Sequence, residues 1–276
     1  MLSTERSNLF GRVQHGLGTE KLPYLTVAQY QEEETEAAMP GEFEGDLTEA
    51  VFWGADMSGA RFRDVNFTGA RISHAWVVDV DIDAFVDKLV VNGVDVTDYV
   101  NERDEWYPVR AMIRASDPDG LRAAWVALEE VWAPTIARAQ ALGEEKAQES
   151  VDEEFSFVQT VRHLVFAMEK WFNVPILSES FRAMGLPNTG SLDFPWPGLD
   201  YSVKPSLAEA LAVRADRAAK FRAYLANVDA ADFPREVEVL ENGKATVLDC
   251  LQTVMEEEFW HNRYAQRDLA VLEQTT

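Results

Sequence analysis

Three side chains that could bind a metal ion lie in two helical-looking segments of the sequence. Glu257 and His261 are four residues apart, so in a helix both leave the same face, one turn apart. A carboxylate and an imidazole at this spacing can bind one metal ion, as the two histidines of H-E-x-x-H sites do. His163 is one of only four histidines in the chain and lies in the other segment, 157–166. Two histidines and one carboxylate leave open positions on a metal, as a catalytic site requires.

A structural role for the same residues is the alternative. Glu257 belongs to an acidic run, 256–258, and such runs usually form solvated helix faces. A single histidine on a largely apolar helix is more often a structural residue than a metal ligand. Spacing alone therefore leaves both interpretations open.

The two segments also resemble a known family. The matching residues are QTVRHL at 159–164, EEFWHNRYA at 257–265 and RDL at 267–269. They are similar to the DinB-like superfamily, and most closely to the branch that includes mycothiol-dependent maleylpyruvate isomerase. The resemblance covers residues 101–276 and implies a four-helix bundle that binds a divalent metal, zinc or nickel. In that family the ligands are one His on the second helix and a Glu-x-x-x-His pair on the last, which correspond here to His163, Glu257 and His261. Many members have His in place of Glu257.

An enzymatic function follows from this resemblance. It implies a low-molecular-weight thiol cosubstrate, such as mycothiol or bacillithiol, that the metal activates for transfer to, or isomerisation of, a small electrophilic substrate. The protein would then be a metal-dependent thiol S-transferase or isomerase. Because fold does not determine function, three alternatives remain. They are a non-enzymatic interaction protein with a structural or vestigial metal, a metal hydrolase, and an iron oxygenase with two His and one carboxylate as ligands.

Residues 45–100 contain a repeat with a period of five. Large apolar residues recur at every fifth position, with small residues two places before them. Neither a helix nor a strand has this period, so each unit must stack on its neighbour. The pattern resembles the pentapeptide-repeat family and implies a right-handed quadrilateral β-helix of about two coils. We expect the large residues to point inward: Leu47, Phe52, Met57, Phe62, Phe67, Ile72, Val77 and Ile82. The segment 89–96, with its Asn-Gly turn, is expected to close the coil as a strand pair.

The charge of the chain limits its partners. It has 25 basic and 48 acidic residues, a formal net charge of −23, which repels phosphate backbones and anionic membrane surfaces. We therefore expect a small-molecule substrate, no nucleic acid and no membrane, and a homodimer or protein partner contacted through the repeats. The short acidic coil is a poor mimic of duplex DNA. A single cysteine, no apolar run of about 20 residues and no visible signal peptide favour the cytoplasm.

Four helices are predicted between residues 101 and 276. We assign no fold to the N-terminal arm, 1–44. Their apolar stripes have helical spacing, and Pro134 predicts a kink in the first. The start signals are Asp117-Pro118, Ser156 with Gln159, Ser206 with Glu209, and Thr246. We interpret Cys250, which is on the face of Glu257, as a buried core thiol.

A long loop between the second and third helices, 174–204, is rich in Pro, Gly and aromatic residues. Loops of this length in compact domains are usually functional or disordered, and the aromatic content argues against disorder. We expect the loop to cover the metal end of the bundle. Candidate substrate-binding residues are Trp196, Tyr201, Arg214 and Tyr264. For Arg214 and its basic neighbours on the third helix, salt bridges with nearby acids are the favoured alternative.

Overall fold

A computed structural model describes residues 46–62, 65–188, 192 and 194–275, which form two units divided between Val80 and Asp81. The predicted N-terminal arm, 1–44, lies outside the described residues. Each unit has its own architecture. Within the described residues, no helix is both long and apolar enough to cross a membrane.

The first unit keeps the five-residue period in its backbone. A left-handed residue recurs at the same place in successive pentads, at positions 49, 54, 59, 69, 74 and 79. Reverse turns close from the amide of Ala50 to the carbonyl of Leu47, and likewise from Ala60 to Met57 and from Ala70 to Phe67. Each pentad therefore bends the chain at an equivalent point.

The described residues of the first unit do not confirm the predicted β-helix. No strand is formed in the described residues from 46 to 80. The eight large apolar side chains are exposed where the sequence predicted that they would point inward, from 41% for Met57 to 79% for Ile72. Coils of a repeat protein bury their interior against neighbours on both sides. Each of two coils has a neighbour on one side only, which limits the apolar surface that the pair can bury.

The second unit is built on four long helices. It begins with a hairpin of β1 (Val90–Val91) and β2 (Val94–Asp95), whose Asn-Gly turn has two left-handed residues as predicted. This hairpin belongs to the second unit rather than to the pentads. The helices in chain order are α1 (Thr97–Asn101), α2 (Tyr107–Arg110), α3 (Pro118–Ala147), α4 (Phe157–Met168), α5 (Leu207–Leu225) and α6 (Val247–Gln274). A second antiparallel hairpin, β3 (Glu236–Glu238) and β4 (Lys244–Thr246), precedes α6.

Local capping explains where the bundle helices begin. The hydroxyl of Ser156 accepts a hydrogen bond from the Gln159 amide, and the Gln159 side chain accepts one from the Ser156 amide. The same reciprocal arrangement opens α5 at Ser206 and α6 at Thr246, so all three predicted capping positions are confirmed. Asp117 caps α3.

Two backbone features differ from the predicted helices. In α3 the departure from helical angles is at Gly143 (φ 86°), not at Pro134. Pro134 removes one amide donor, whereas glycine adopts the left-handed region at no steric cost, so the chain breaks where glycine permits it. After α4, residues Glu169–Asn173 form a π-helical turn, closed by a hydrogen bond from the Val174 amide to the Glu169 carbonyl.

Ion pairs border the bundle core, and two of them, Arg214–Glu258 and Arg217–Glu169, are buried. Helices α3 and α4 each pack against both α5 and α6. Apolar side chains such as Trp125, Phe172 and Phe221 fill the interior and are almost completely buried. The basic residues of α5 pair with acids of neighbouring elements, as the favoured interpretation predicted. The pairs are Arg214–Glu258, Arg217–Glu169, Lys220–Glu179 and Arg222–Glu129.

The loop between α4 and α5 packs on α4. The Arg162 guanidinium donates to the Met184 carbonyl at 2.8 Å, and the Leu186 amide donates to the Arg162 carbonyl at 3.3 Å. Phe181 and Trp196 form a buried aromatic cluster with Phe166 of α4. We call residues 181–186 the strap; it holds the loop against the helix that carries His163.

Candidate metal centre

The three predicted ligands come together between α4 and α6. Glu257 and His261 are one turn apart on α6, and His163 faces them from α4. One candidate donor atom from each residue lies within 4.8 Å of the others. His163 is buried, whereas the side chains of Glu257 and His261 are 25% and 16% exposed. The cluster is therefore closed on the α4 side and open toward solvent on the α6 side.

Both imidazoles have a hydrogen bond that orients the ring. Nδ1 of His163 lies 2.9 Å from the Leu186 carbonyl oxygen of the strap. Nδ1 of His261 lies 2.8 Å from the Glu257 carbonyl oxygen, one turn back on α6. A carbonyl oxygen can only accept, so each Nδ1 carries a proton; when such an imidazole is neutral, as metal binding requires, its lone pair is on Nε2. Metal-binding histidines typically donate their second N–H to a carbonyl or carboxylate in this way.

The Glu257 carboxyl is ionised at neutral pH. Burial by itself raises the pKa of this group. The hydrogen bond from His163 and the positive charges of His163, His261 and Lys170 outweigh burial and bring the pKa of Glu257 down to about 2. The site therefore offers an anionic oxygen together with two imidazoles, a donor set that divalent transition metals prefer.

The distance between two of these donor atoms is close to that expected around a divalent metal ion. Donor atoms bound about 2.1 Å from a tetrahedral zinc ion lie about 3.4 Å from one another. Nε2 of His163 is 3.3 Å from Oε2 of Glu257, close to this value. Three protein donors fill only part of the coordination sphere of such an ion, and the partly exposed side of the cluster gives a further ligand access.

Aromatic side chains surround the candidate ligands. The His163 and His261 rings lie 4.5 Å apart between centroids. Phe155 and Phe166 lie beside His163 at 5.7 and 6.1 Å, and Tyr264 packs edge-on against His261 at 5.7 Å. These rings limit the side-chain conformations that both imidazoles can adopt.

The structure separates the four predicted substrate-binding residues. Tyr264 lies beside His261, at the centre. Trp196 is buried in the loop cluster, where it contacts Phe166 at 4.7 Å and so supports the centre from behind. Arg214 is buried and paired with Glu258, and its guanidinium lies 4.4 Å from the Trp132 ring centroid. Tyr201 is an exposed residue of the loop. Substrate contact stays a prediction for all four.

Sequence analysis missed the residues that reach the centre from other elements. Leu186 acts through its backbone carbonyl, and no side-chain pattern signals that role. Lys170 follows His163 by seven residues, which is two helical turns, so its spacing was a usable signal. His74 is exposed and lies in the pentad unit.

Comparison with protein-family models identifies both units. A model of pentapeptide repeats matches residues 46–82 in eight copies. Searches of curated proteins and of solved structures found no match. A model described as the DinB superfamily matches residues 127–265, just over half of the 276-residue chain, and includes all three candidate ligands. The chain therefore belongs to the DinB superfamily and carries pentapeptide repeats ahead of its helical bundle.

Proposed function

We propose that His163, Glu257 and His261 bind one divalent metal ion, zinc or nickel, and that this centre activates a low-molecular-weight thiol. The thiol would then be transferred to a small electrophilic substrate, or serve in its isomerisation. The observation that carries the proposal is the convergence of three donor atoms within 4.8 Å, on two helices held by separate packing contacts. Membership of the DinB superfamily supports it.

The protein residues have defined tasks in this proposal. The Leu186 and Glu257 carbonyls orient the two imidazoles, and Nε2 of His163 faces the Glu257 carboxylate. Glu257 supplies one negative charge, so the protein donors neutralise only half of the charge of a divalent ion. A bound divalent ion would supply a Lewis acid that lowers the pKa of a coordinated thiol or water. The exposed edges of Glu257 and His261 mark the side from which a thiol approaches.

Metal content of purified variants tests the first part. We expect about one divalent ion per chain in the wild type and a loss of metal in His261→Ala, as measured by inductively coupled plasma mass spectrometry. The fold should survive, because the apolar core of the four helices does not depend on the ion. His74→Asn is the matched control: it removes an exposed imidazole, and Asn tolerates the left-handed backbone at this position (φ 56°). Equal metal content in the wild type and a His163, Glu257 and His261 triple Ala variant would rule out the site.

Thiol titration of the cobalt-substituted protein tests the second part. Cobalt(II) absorbs visible light, and its spectrum changes when a sulfur ligand binds. Mycothiol, bacillithiol and glutathione should each be added to the wild type and to the His74→Asn control. A spectrum that none of the three thiols alters would leave the metal site standing and remove the thiol chemistry.

A second candidate function is protein interaction through the pentads. The observation that favours it is the row of exposed large apolar side chains in the first unit, among them Phe52, Trp53 and Trp76. Exposed apolar surface of this extent is typical of interaction sites. We infer that residues 46–82 complete a short quadrilateral β-helix against a second copy of the chain or another protein. Sedimentation of the full chain should then show a dimer that Trp76→Ser weakens; a monomer at all concentrations would exclude the homodimer.

A further inference from the structure

Lys170 follows His163 along the chain by about two helical turns and is not one of the three candidate metal ligands. It is the second residue of the π-helical turn after α4, seven residues beyond His163. Helical side chains lean toward the N-terminus of their helix, so the Lys170 side chain extends back toward His163. Only 11% of that side chain is exposed.

Two indole rings hold the ammonium group in place. Nζ of Lys170 lies 5.2 Å from the ring centroid of Trp171 and 5.2 Å from that of Trp196. Trp196 in turn contacts Phe166, which lies beside His163. A cation between aromatic faces is attracted by them but loses much of its water, so it needs an anionic partner.

The anionic partner is a carboxylate from a distant, strained turn. Oε1 of Glu241 lies 2.8 Å from Nζ of Lys170. Glu241 belongs to the turn 240–243 that connects β3 and β4, in which Leu240 has φ 33° and Gly243 has φ 70°. A positive φ is uncommon for a residue such as leucine and has an energetic cost. Backbone hydrogen bonds close the turn, among them one of 2.7 Å from the Val239 amide to the Gly243 carbonyl.

We propose that Lys170 is the carboxylate-binding residue of the metal site and that Glu241 occupies it as an internal competitor. The ligand class is a small organic anion that places one carboxylate on Lys170 and a second donor group at the centre. Binding would release Glu241 and relax the turn at Leu240. The inference rests on the proposed metal site, because it assigns the second donor group of the ligand to that site.

Charge and shape both favour a carboxylate in this position. Glu241 is itself a carboxylate, so the ammonium group of Lys170 already binds one. A divalent ion with only Glu257 as an anionic ligand keeps a net positive charge. The ion and Lys170 together would attract an anion with two functional groups, in a protein whose net charge of −23 otherwise repels anions.

Succinate titration of the metal-loaded full chain tests the proposal. Succinate carries two carboxylates, and the cobalt spectrum reports binding at the metal. Lys170→Met keeps the aliphatic chain and removes the charge. We expect succinate affinity to fall by roughly tenfold to a hundredfold, because a hydrogen bond to a charged group is lost. Glu241→Gln removes the competitor, and affinity should rise by about threefold to tenfold.

Matched controls come from the same hairpin. Lys244 and Glu236 form an exposed pair 3.1 Å apart on β4 and β3. Lys244→Met and Glu236→Gln make the same chemical changes away from the indoles. Because an exposed ion pair contributes little free energy, succinate affinity should stay within about twofold of the wild type. Acetamide should not bind, and inorganic phosphate should bind more weakly than succinate.

The outcomes separate this inference from the proposed function. A chain that takes up no metal overturns both. A chain that takes up one metal ion, but binds succinate equally in the wild type and in Lys170→Met, overturns the inference alone. The same holds if Glu241→Gln weakens succinate binding, if Lys244→Met matches Lys170→Met, or if phosphate binds as tightly as succinate.

Discussion

A methyl group at Gly185 should disturb the metal centre without contacting it. Gly185 lies in the strap, between Met184 and Leu186, whose carbonyls accept from Arg162 and His163. A Cβ added there would lie 3.0 Å from a Leu199 methyl carbon and 3.4 Å from Cβ of Phe166 on α4. Non-bonded carbon atoms prefer about 3.5 to 4.0 Å, so the strap must move away by several tenths of an ångström.

The size of the effect follows from the hydrogen bond that this movement stretches. The contact between Nδ1 of His163 and the Leu186 carbonyl is 2.9 Å, and a shift of several tenths takes it beyond the usual upper limit of about 3.2 Å. Losing such an orienting bond typically lowers metal affinity by about tenfold or more. Overpacking should also lower the free energy of unfolding by about 1 kcal/mol, the low end for such changes, because the contacts are only a few tenths of an ångström too short.

The assay compares metal affinity in Gly185→Ala with that in Gly143→Ala. At Gly143, on α3, a Cβ meets no atom within 4 Å, but φ is 86°, so alanine is strained there by about 1–3 kcal/mol. Gly143→Ala should therefore lower the melting temperature at least as much as Gly185→Ala. Competition with a chromophoric zinc chelator should show weaker binding only in Gly185→Ala. Equal zinc affinity in both variants would refute the role that we assign to the strap.

Other perturbations have outcomes that the structure specifies. Replacing Arg217 with Met leaves the fully buried carboxylate of Glu169 without its ion pair, so urea unfolding should show a loss of about 3–5 kcal/mol. Adding Glu169→Gln to that variant should recover part of the loss, and a double variant no more stable than the single one would contradict this account. Burial raises the pKa of the Cys250 thiol to about 12, so a disulfide reagent at pH 8 should modify it only after unfolding; rapid labelling of the native chain would show that the thiol is accessible. The net charge of −23 causes self-repulsion, so the melting temperature should rise between about 20 and 200 mM NaCl, and a constant value would mean that repulsion is negligible.

Helix starts and the Glu257–His261 pair could be predicted from the sequence because both are local. A capping box needs residues three apart, and the pair needs residues one turn apart. Their partner His163 is 94 residues before Glu257 and could be assigned only through a family resemblance. Leu186 was beyond prediction for a different reason: its contribution is a carbonyl oxygen, which every residue has.

For the pentads, the sequence predicted the backbone but not the burial of the side chains. Their period predicted a regular backbone, and left-handed residues do recur five positions apart. The period does not determine whether Phe62 or Ile72 is buried, because burial depends on what stacks against the coil. The break in α3 was likewise assigned to Pro134 on a helix rule, although the chain bends where Gly143 removes the steric barrier.

The π-helical turn at Glu169–Asn173 makes this stretch sensitive to length. The turn contains one residue more than an ordinary helical turn, since the Val174 amide reaches back five residues to Glu169. Removing one residue would restore regular α-helical hydrogen bonding, but it would rotate everything beyond the deletion by about 100° relative to α4. The Arg182 amide could then no longer donate to the Glu169 carboxylate, and the loop would leave α4 at a different angle. In an evolving gene, a one-codon deletion here would therefore preserve helix content while moving the loop away from His163. Such a deletion is harder to reverse than a point substitution.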